Sequence, residues 1–144
     1  MSNVRQISVF LDNRPNQLKG VMAILKNGGI NIRALSVADT KDFGILRMIV
    51  NDTEKAVDVL KDASYAVAVT EILAISIPDA PGQLSRVLDI LGSENVNIEY
   101  LYAFTGASDK AVSFVIRVDD NENAANALTR GGIIQLTEND IAEM

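Results

Sequence analysis

Two prolines set the frame for this chain. Pro15 and Pro81 stand 66 residues apart, and the same offset lays Leu18 on Leu84, Val21 on Val87, Leu25 on Leu91, Asn31 on Asn97 and Ile32 on Ile98. It also lays Ile7, Val9 and Leu11 on Leu73, Ile75 and Ile77. Later the offset becomes 68, which aligns Val50 with Val118, Glu54 with Glu122 and Leu60 with Leu128 and assigns two extra residues to a loop around Thr105 to Lys110. A register kept through several elements and changed once, in a loop, is what duplication of a folded unit leaves behind. The expected fold is two copies of one small unit, repeat one at 1–70 and repeat two at 71–144.

Within repeat one, Ile7, Val9 and Leu11 alternate with Ser8 and Phe10, the period of a strand with one face on a core. Leu18, Val21, Met22 and Leu25 recur at helical spacing, and Gly28-Gly29 ends that helix. Strands over 30–37 and through Leu46, Met48 and Val50 are joined by the polar turn Thr40-Lys41-Asp42. Asp52-Thr53 offers an N-cap to a helix carrying Ala56, Val57 and Leu60, and 66–69 supplies a last strand. The order is βαββαβ, and repeat two repeats it. The fold class is α+β: two ferredoxin-like units, each an antiparallel sheet with its helices on one face. No Pro, Gly or Ser linker separates Val69 from Ile72, so the copies are expected to be docked. Ile32 and Leu35 have opposite parity although both look buried, which predicts a bulge in that strand.

Composition removes many functions. At 144 residues with 48% hydrophobic residues the chain can bury a core. A net charge of −6 without basic clusters argues against nucleic acid. No apolar run reaches membrane-spanning length and no signal-peptide pattern follows Met1, so no membrane is expected and the chain reads as cytoplasmic. The absence of Cys and His removes thiol nucleophiles, thiolate sites and the usual zinc ligand and general base. No cluster of acid, base and nucleophile stands out, so the chain is expected not to be an enzyme and to need no metal or cofactor. A metallochaperone would need Cys pairs, an RNA-recognition motif exposed aromatics in basic surroundings, and an acyl phosphatase a better phosphate loop than Asn13-Arg14-Pro15-Asn16.

What remains is the loop itself. Asp79-Ala80-Pro81-Gly82-Gln83-Leu84 lies at a strand-to-helix junction, with Pro81 expected in the first helical position. Unpaired N–H groups and the helix dipole there favour a bound carboxylate. An ammonium would find acceptors at Asp79, Asn97 or Asn31. The structural alternative is that Asp79 caps its helix and that Asn31 and Asn97 only turn the chain.

The run from Asp79 to Leu84, followed by Asn95-Val96-Asn97-Ile98, resembles the ACT domain, an amino-acid-binding regulatory module. In that family a D-x-P-G-x-L loop precedes a helix and a G-V-N-I stretch opens strand two. Copy one offers Asn13, Arg14, Pro15, Asn16, Gln17 and Leu18 after Leu11, then Gly29-Ile30-Asn31-Ile32, with Asn16 where the family has glycine. The resemblance implies a tandem ACT protein that senses a free amino acid and acts on an enzyme or regulator of amino-acid metabolism. The alternative is a ligand-free assembly subunit working through protein contacts.

Strands one and two of such a unit run parallel, so a loop leaving strand one and an Asn opening strand two lie at opposite ends of the same copy. If the second strands dock antiparallel, the loop 79–84 comes beside Asn31 and Ile32, and the loop 13–18 beside Asn97 and Ile98. The first pairing is favoured because only its loop has the glycine, Gly82. Tyr100, Tyr102 and Phe104 lie on one strand face and match Ala34, Ser36 and Ala38 of copy one at the offset of 66, so rings of one copy are expected to fill space left by the other. Apolar Phe10, Ile45 and Val115 on the faces away from the helices need cover, which leads to an expected homodimer.

Overall fold

The computed structural model describes residues 3–39, 43–106 and 110–144. The expected turn at Thr40-Lys41-Asp42 and part of the expected insertion lie outside the described residues. Repeat one runs β1 (Val4–Asp12), α1 (Gln17–Asn27), β2 (Ile32–Asp39), β3 (Phe43–Val50) and α2 (Thr53–Asp62). Next comes β4 (Ala66–Pro78), and then α3 (Gln83–Ser93), β5 (Ile98–Ala103), β6 (Ala111–Val118), α4 (Asn121–Arg130), β7 (Ile134–Gln135) and α5 (Glu138–Ala142). The two βαββαβ-like units are present, with antiparallel strands and the helices of each on one face.

β4 belongs to both units. Its first half pairs with β1, from Val4 opposite Ile72 to Phe10 opposite Ala66. Its second half pairs with β6, from Leu73 opposite Ile116 to Pro78 opposite Ala111, and also with β7 at Ile75 and Ser76. The stretches around Val67 and Ile75, read above as two strands, are thus one: Thr70-Glu71 keep the alternation and no turn former interrupts it. The resulting sheet has the order β2-β3-β1-β4-β6-β5. It curls until its outer strands meet, with Ala34 of β2 bridging Phe104 in antiparallel sense and the Thr105 N–H donating to the Arg33 carbonyl at 2.9 Å.

Curling gives three cores. Ile7, Val9, Leu11, Leu46 and Met48 meet α1 and α2 through Val21, Leu25, Ala56 and Leu60. Leu73, Ile75, Ile77 and Ile116 meet α3 and α4 through Val87, Leu91, Ala124 and Leu128. Between the sheets, away from all four of these helices, Val4, Ala34, Ile49, Ile72, Ala74 and Val115 form a third core with Ile141 of α5. Val115, expected to need a partner molecule, is therefore covered within the chain. Phe10 and Phe43, further along the same inner face, stay over a third exposed and meet edge to face at 5.8 Å.

The expected bulge is real and occurs twice. β2 shifts register between Ile32 and Ala34, and β5 between Ile98 and Tyr100, so Arg33 and Glu99 are the extra residues. The bulge puts Ile32 opposite Val50 and Leu35 opposite Met48, on one face despite their parity. Across the seam Tyr102 and Phe104 pack on the inner core beside fully buried Ala34, large against small. A polar cluster continues it: fully buried Gln6 accepts from the Tyr102 hydroxyl at 2.6 Å and donates to the Tyr100 hydroxyl at 2.7 Å. The Arg47 guanidinium lies 4.1 Å from the centre of the Tyr100 ring. Burial pushes the Tyr102 phenol well above its ordinary pKa, so it stays a donor.

α5 was not foreseen, although Thr137-Glu138-Asn139-Asp140 carries its signal: a capping box, with Asp140 N–H on the Thr137 hydroxyl and Thr137 N–H on the Asp140 carboxylate. Arg5 Nε and Nη2 bond the two Glu138 oxygens at 2.7 and 2.9 Å, tying this helix to β1. The hydrogen bond from Arg5 is the main cause holding the Glu138 carboxyl below its ordinary range. A lowered folded pKa means this tie is complete above the ordinary glutamate pKa and fades as pH falls through the lower folded value. Protection of the α5 amides, measured against their intrinsic exchange rates, should therefore fall on acidification through the Glu138 titration and already be low in Glu138→Gln at neutral pH; equal protection in both proteins at both pH values would count against the tie.

Because β4 serves both sheets, the two repeats should unfold together. Ile72→Ala removes a fully buried side chain at the handover and is expected to cost about 2–5 kcal/mol. Urea melts followed by circular dichroism and by amide signals of each repeat should give one shared midpoint, lowered for both; two separate midpoints would refute the coupling.

Candidate functional site

Each repeat begins its two helices differently. α2 and α4 are capped by Asp52 and Asp120, whose side chains accept from the N–H groups of Lys55 and Asn123 at 3.2 and 3.0 Å. α1 and α3 start at Asn16 and Gly82, both left-handed (φ 70° and 84°), and neither start has a side-chain cap. Pro81, expected in the first helical position, stands instead in a turn before the helix: the Gln83 N–H reaches the Ala80 carbonyl at 3.3 Å across Pro81-Gly82, the arrangement of a type II turn. Asp79 does not cap α3. Its N–H donates to the Lys110 carbonyl at 3.0 Å, and its side chain is left exposed. Apart from the Gln83 N–H, the first-turn N–H groups of α1 and α3 are thereby left without a side-chain cap where the helix dipole is positive.

Asn16 keeps the backbone geometry that Gly82 has, so the departure from the family pattern in copy one adds a side chain without changing the turn. Asn is among the residues that tolerate left-handed backbone best.

The strand-two residues also match between copies. Asn31 N–H donates to Asn51 Oδ1 at 2.9 Å and Asn97 N–H to Asp119 Oδ1 at 3.0 Å, while each asparagine's carbonyl accepts from the N–H of that same partner. Among the described residues neither asparagine's side chain takes a hydrogen bond, and both are exposed. Backbone turning and an open amide coexist at each.

The antiparallel approach of β2 and β5 decides what shares space. Ile32 and Arg33 of copy one line a cavity of about 340 Å³ with Ser76, Phe104, Ala111 and Ser113 of copy two. Loop 79–84 is at the same end but on the other sheet face. Its Asp79, Ala80, Gln83 and Leu84 line a separate groove of about 150 Å³ with Val112 and Phe114, the residues that alternate with Ala111 and Ser113 along β6. Pro81 and Gly82 are exposed beside it. Loop 13–18 is exposed apart from half-buried Gln17; Arg14 pairs with Asp12 at 3.0 Å, and Leu11 is a core residue. Among the described residues no hydrogen bond or bridge joins this loop to Asn97 or to half-buried Ile98. Arg33, Gly106 and the two serines were not singled out from the sequence, and Phe104 was read there only as a packing ring. The bulge at Arg33, inferable from parity, was the available signal.

With the geometry in hand, the comparisons decide the family. The model of the ACT domain pair matches residues 2–144. This chain belongs to that family. A crystal structure of a protein from Bacteroides thetaiotaomicron is 37% identical with a TM-score of 0.92, over 99% of this chain and 97% of that one. Two solved structures of lower identity share the fold. The regulatory subunit of aspartate kinase from Thermus thermophilus, in ligand-free form, is 17% identical with a TM-score of 0.66, over 91% and 93% of the two chains. That from Thermus flavus is 17% identical with a TM-score of 0.61, over 92% and 94%. No curated protein matches this ACT pair.

The turn geometry gives a prediction on stability. Gly82→Asn should cost little, since copy one carries Asn in that conformation, whereas Gly82→Val should cost about 1–2 kcal/mol, because nothing crowds the added Cβ but φ +84° strains a β-branched residue. Thermal melts of the two variants that are equally shifted would refute this account.

Proposed function

We propose that this ACT pair is a non-catalytic regulatory protein that binds a free amino acid between its repeats, 1–70 and 71–144, and passes the change to a partner. The observation that carries this reading is the pair of uncapped helix starts, each after a left-handed residue and each in a D/N-x-P-x-Q-L loop. Such a start offers N–H donors to a carboxylate, and the open amides of Asn31 and Asn97 offer acceptors to an ammonium. The favoured site uses Asp79 to Leu84 with Asn31 and Ile32. The second uses Leu11, Asn13, Arg14 and Asn16 to Leu18 with Asn97 and Ile98. Likeness in fold to regulatory subunits of aspartate kinase supports a partner in amino-acid metabolism. Among the described residues no helix is long and apolar enough to span a membrane.

A second reading, assembly without ligand, is favoured by one observation: Phe10 and Phe43 are 39% and 38% exposed side by side on the inner face. A homodimer formed there would cover them, under either reading.

A thermal-shift screen of the twenty amino acids separates the two. A ligand at a hundred times its Kd adds about 2.7 kcal/mol, roughly 5–10 °C for a chain of this size. On the sensor reading one amino acid gives such a shift, and Asn31→Ala, which keeps the structural backbone bonds, weakens its binding at least tenfold by calorimetry while Asn97→Ala does not. No shift with any of the twenty would leave the assembly reading.

A further inference from the structure

We propose that the cavity between the inner faces of the two repeats binds a small monocarboxylate with an apolar body, and that Arg33 is the cation that recognises it. The cavity holds about 340 Å³, room for a metabolite of amino-acid size. Arg33 enters it from the bulge in β2, where its carbonyl is held by the N–H and hydroxyl of Thr105. Its guanidinium is under-used. Among the described residues Nη2 reaches only the Ala142 carbonyl, at a long 3.4 Å, and Nε is buried without an acceptor. Among the described residues no carboxylate pairs with it. A guanidinium presents its donors as a planar fork, and a carboxylate fits that fork with two parallel bonds.

The rest of the lining suits the remainder of such a ligand. Ser76 and Ser113 face each other across the β4–β6 ladder and supply hydroxyls, while Phe104, Ala111 and Leu136 supply an apolar wall. Among the described residues the lining holds no Asp or Glu. The carboxylate can come from an amino acid or from the corresponding 2-oxo acid.

The duplication provides an internal control. At the offsets of 66 and 68, Ser76, Ala111 and Ser113 fall on Phe10, Phe43 and Ile45, and the same ladder contacts recur: Phe10 is opposite Ile45 as Ser76 is opposite Ser113. Arg33 falls on Glu99, the other bulge residue, which lies 3.9 Å from Arg117. One copy carries two rings and an isoleucine where the other carries small and hydroxyl side chains, and the charge at the bulge is reversed. Packing alone has no need of a half-buried arginine with a buried, unsatisfied Nε beside two serines. This inference does not depend on loop 79–84, which lines a separate groove on the opposite face of the sheet, although Ile32 is shared by the two sites.

The test is calorimetry with leucine, phenylalanine, their 2-oxo acids and the amides of the two amino acids. At least one free acid should bind and the amides should not; either source of the carboxylate supports the proposal, and the tighter one names the ligand class. Arg33→Gln should weaken that binding roughly 10- to 100-fold, the loss expected for a charge-assisted pair, with partial recovery in Arg33→Lys. Ser113→Ile, which installs the residue of the other copy, should abolish it, and Glu99→Gln, at the matching bulge of the other copy, should leave it unchanged. The proposal is overturned if no free acid binds, or if binding survives both Arg33→Gln and Ser113→Ile. It is equally overturned if binding is lost with Gly82→Val yet intact in Arg33→Gln, a result that would instead support the loop site.

Discussion

Everything in this molecule depends on one strand being asked to serve two sheets. From Ala66 to Ile72, β4 hydrogen-bonds β1; from Leu73 to Pro78 it hydrogen-bonds β6 and β7. With no residue between the two duties, neither repeat can turn without twisting the ladder of the other. The sheet's natural right-handed twist then accumulates over successive strands, and the far strands β2 and β5 come round to meet. A curled sheet has an inside, and the inside is where the third core, the polar cluster and the cavity are found.

The seam where the outer strands meet is stabilised by unlike residues at like positions. Ala34 accepts the bulk that Phe104 brings, and Gln6 engages both tyrosine hydroxyls. Buried polar groups of this kind act through their alternatives: sliding β5 by one residue would leave Gln6 buried and unsatisfied, at about 1–3 kcal/mol per lost partner. The cluster therefore selects one docking of the repeats. Duplication supplied two similar halves, and their divergence along β2, β5 and the inner faces made them complementary.

Much of this was legible. Local pattern and a repeated register determined the strand faces, since Ile7, Val9 and Leu11 could only alternate and Val21 and Leu25 could only share a stripe. Even the bulge at Arg33 followed from the conflict between Ile32 and Leu35. What escaped depended on distant contacts or on one backbone angle. Pro81-Gly82 serves a turn or a first helical residue equally well until φ of Gly82 is known. Val115 seemed to require another molecule because the curl that buries it is a sum of small twists, written in no single residue. α5 was overlooked because its five residues show no period, although Thr137 and Asp140 cap it reciprocally. At the candidate site, the loops and asparagines were visible as motifs. The chemistry of Arg33 was not, because it depends on what Ser76 and Ser113 fail to fill.

The polar cluster also makes the seam optically distinct. The chain has no tryptophan and three tyrosines: Tyr65 beside the helices of repeat one, and Tyr100 and Tyr102 stacked at 6.4 Å between the sheets. Two of the three intrinsic fluorophores thus stand where the repeats touch, one of them against a guanidinium. Ultraviolet emission from the unlabelled protein is consequently weighted toward the contact between its halves, and the molecule carries a built-in gauge of its own closure.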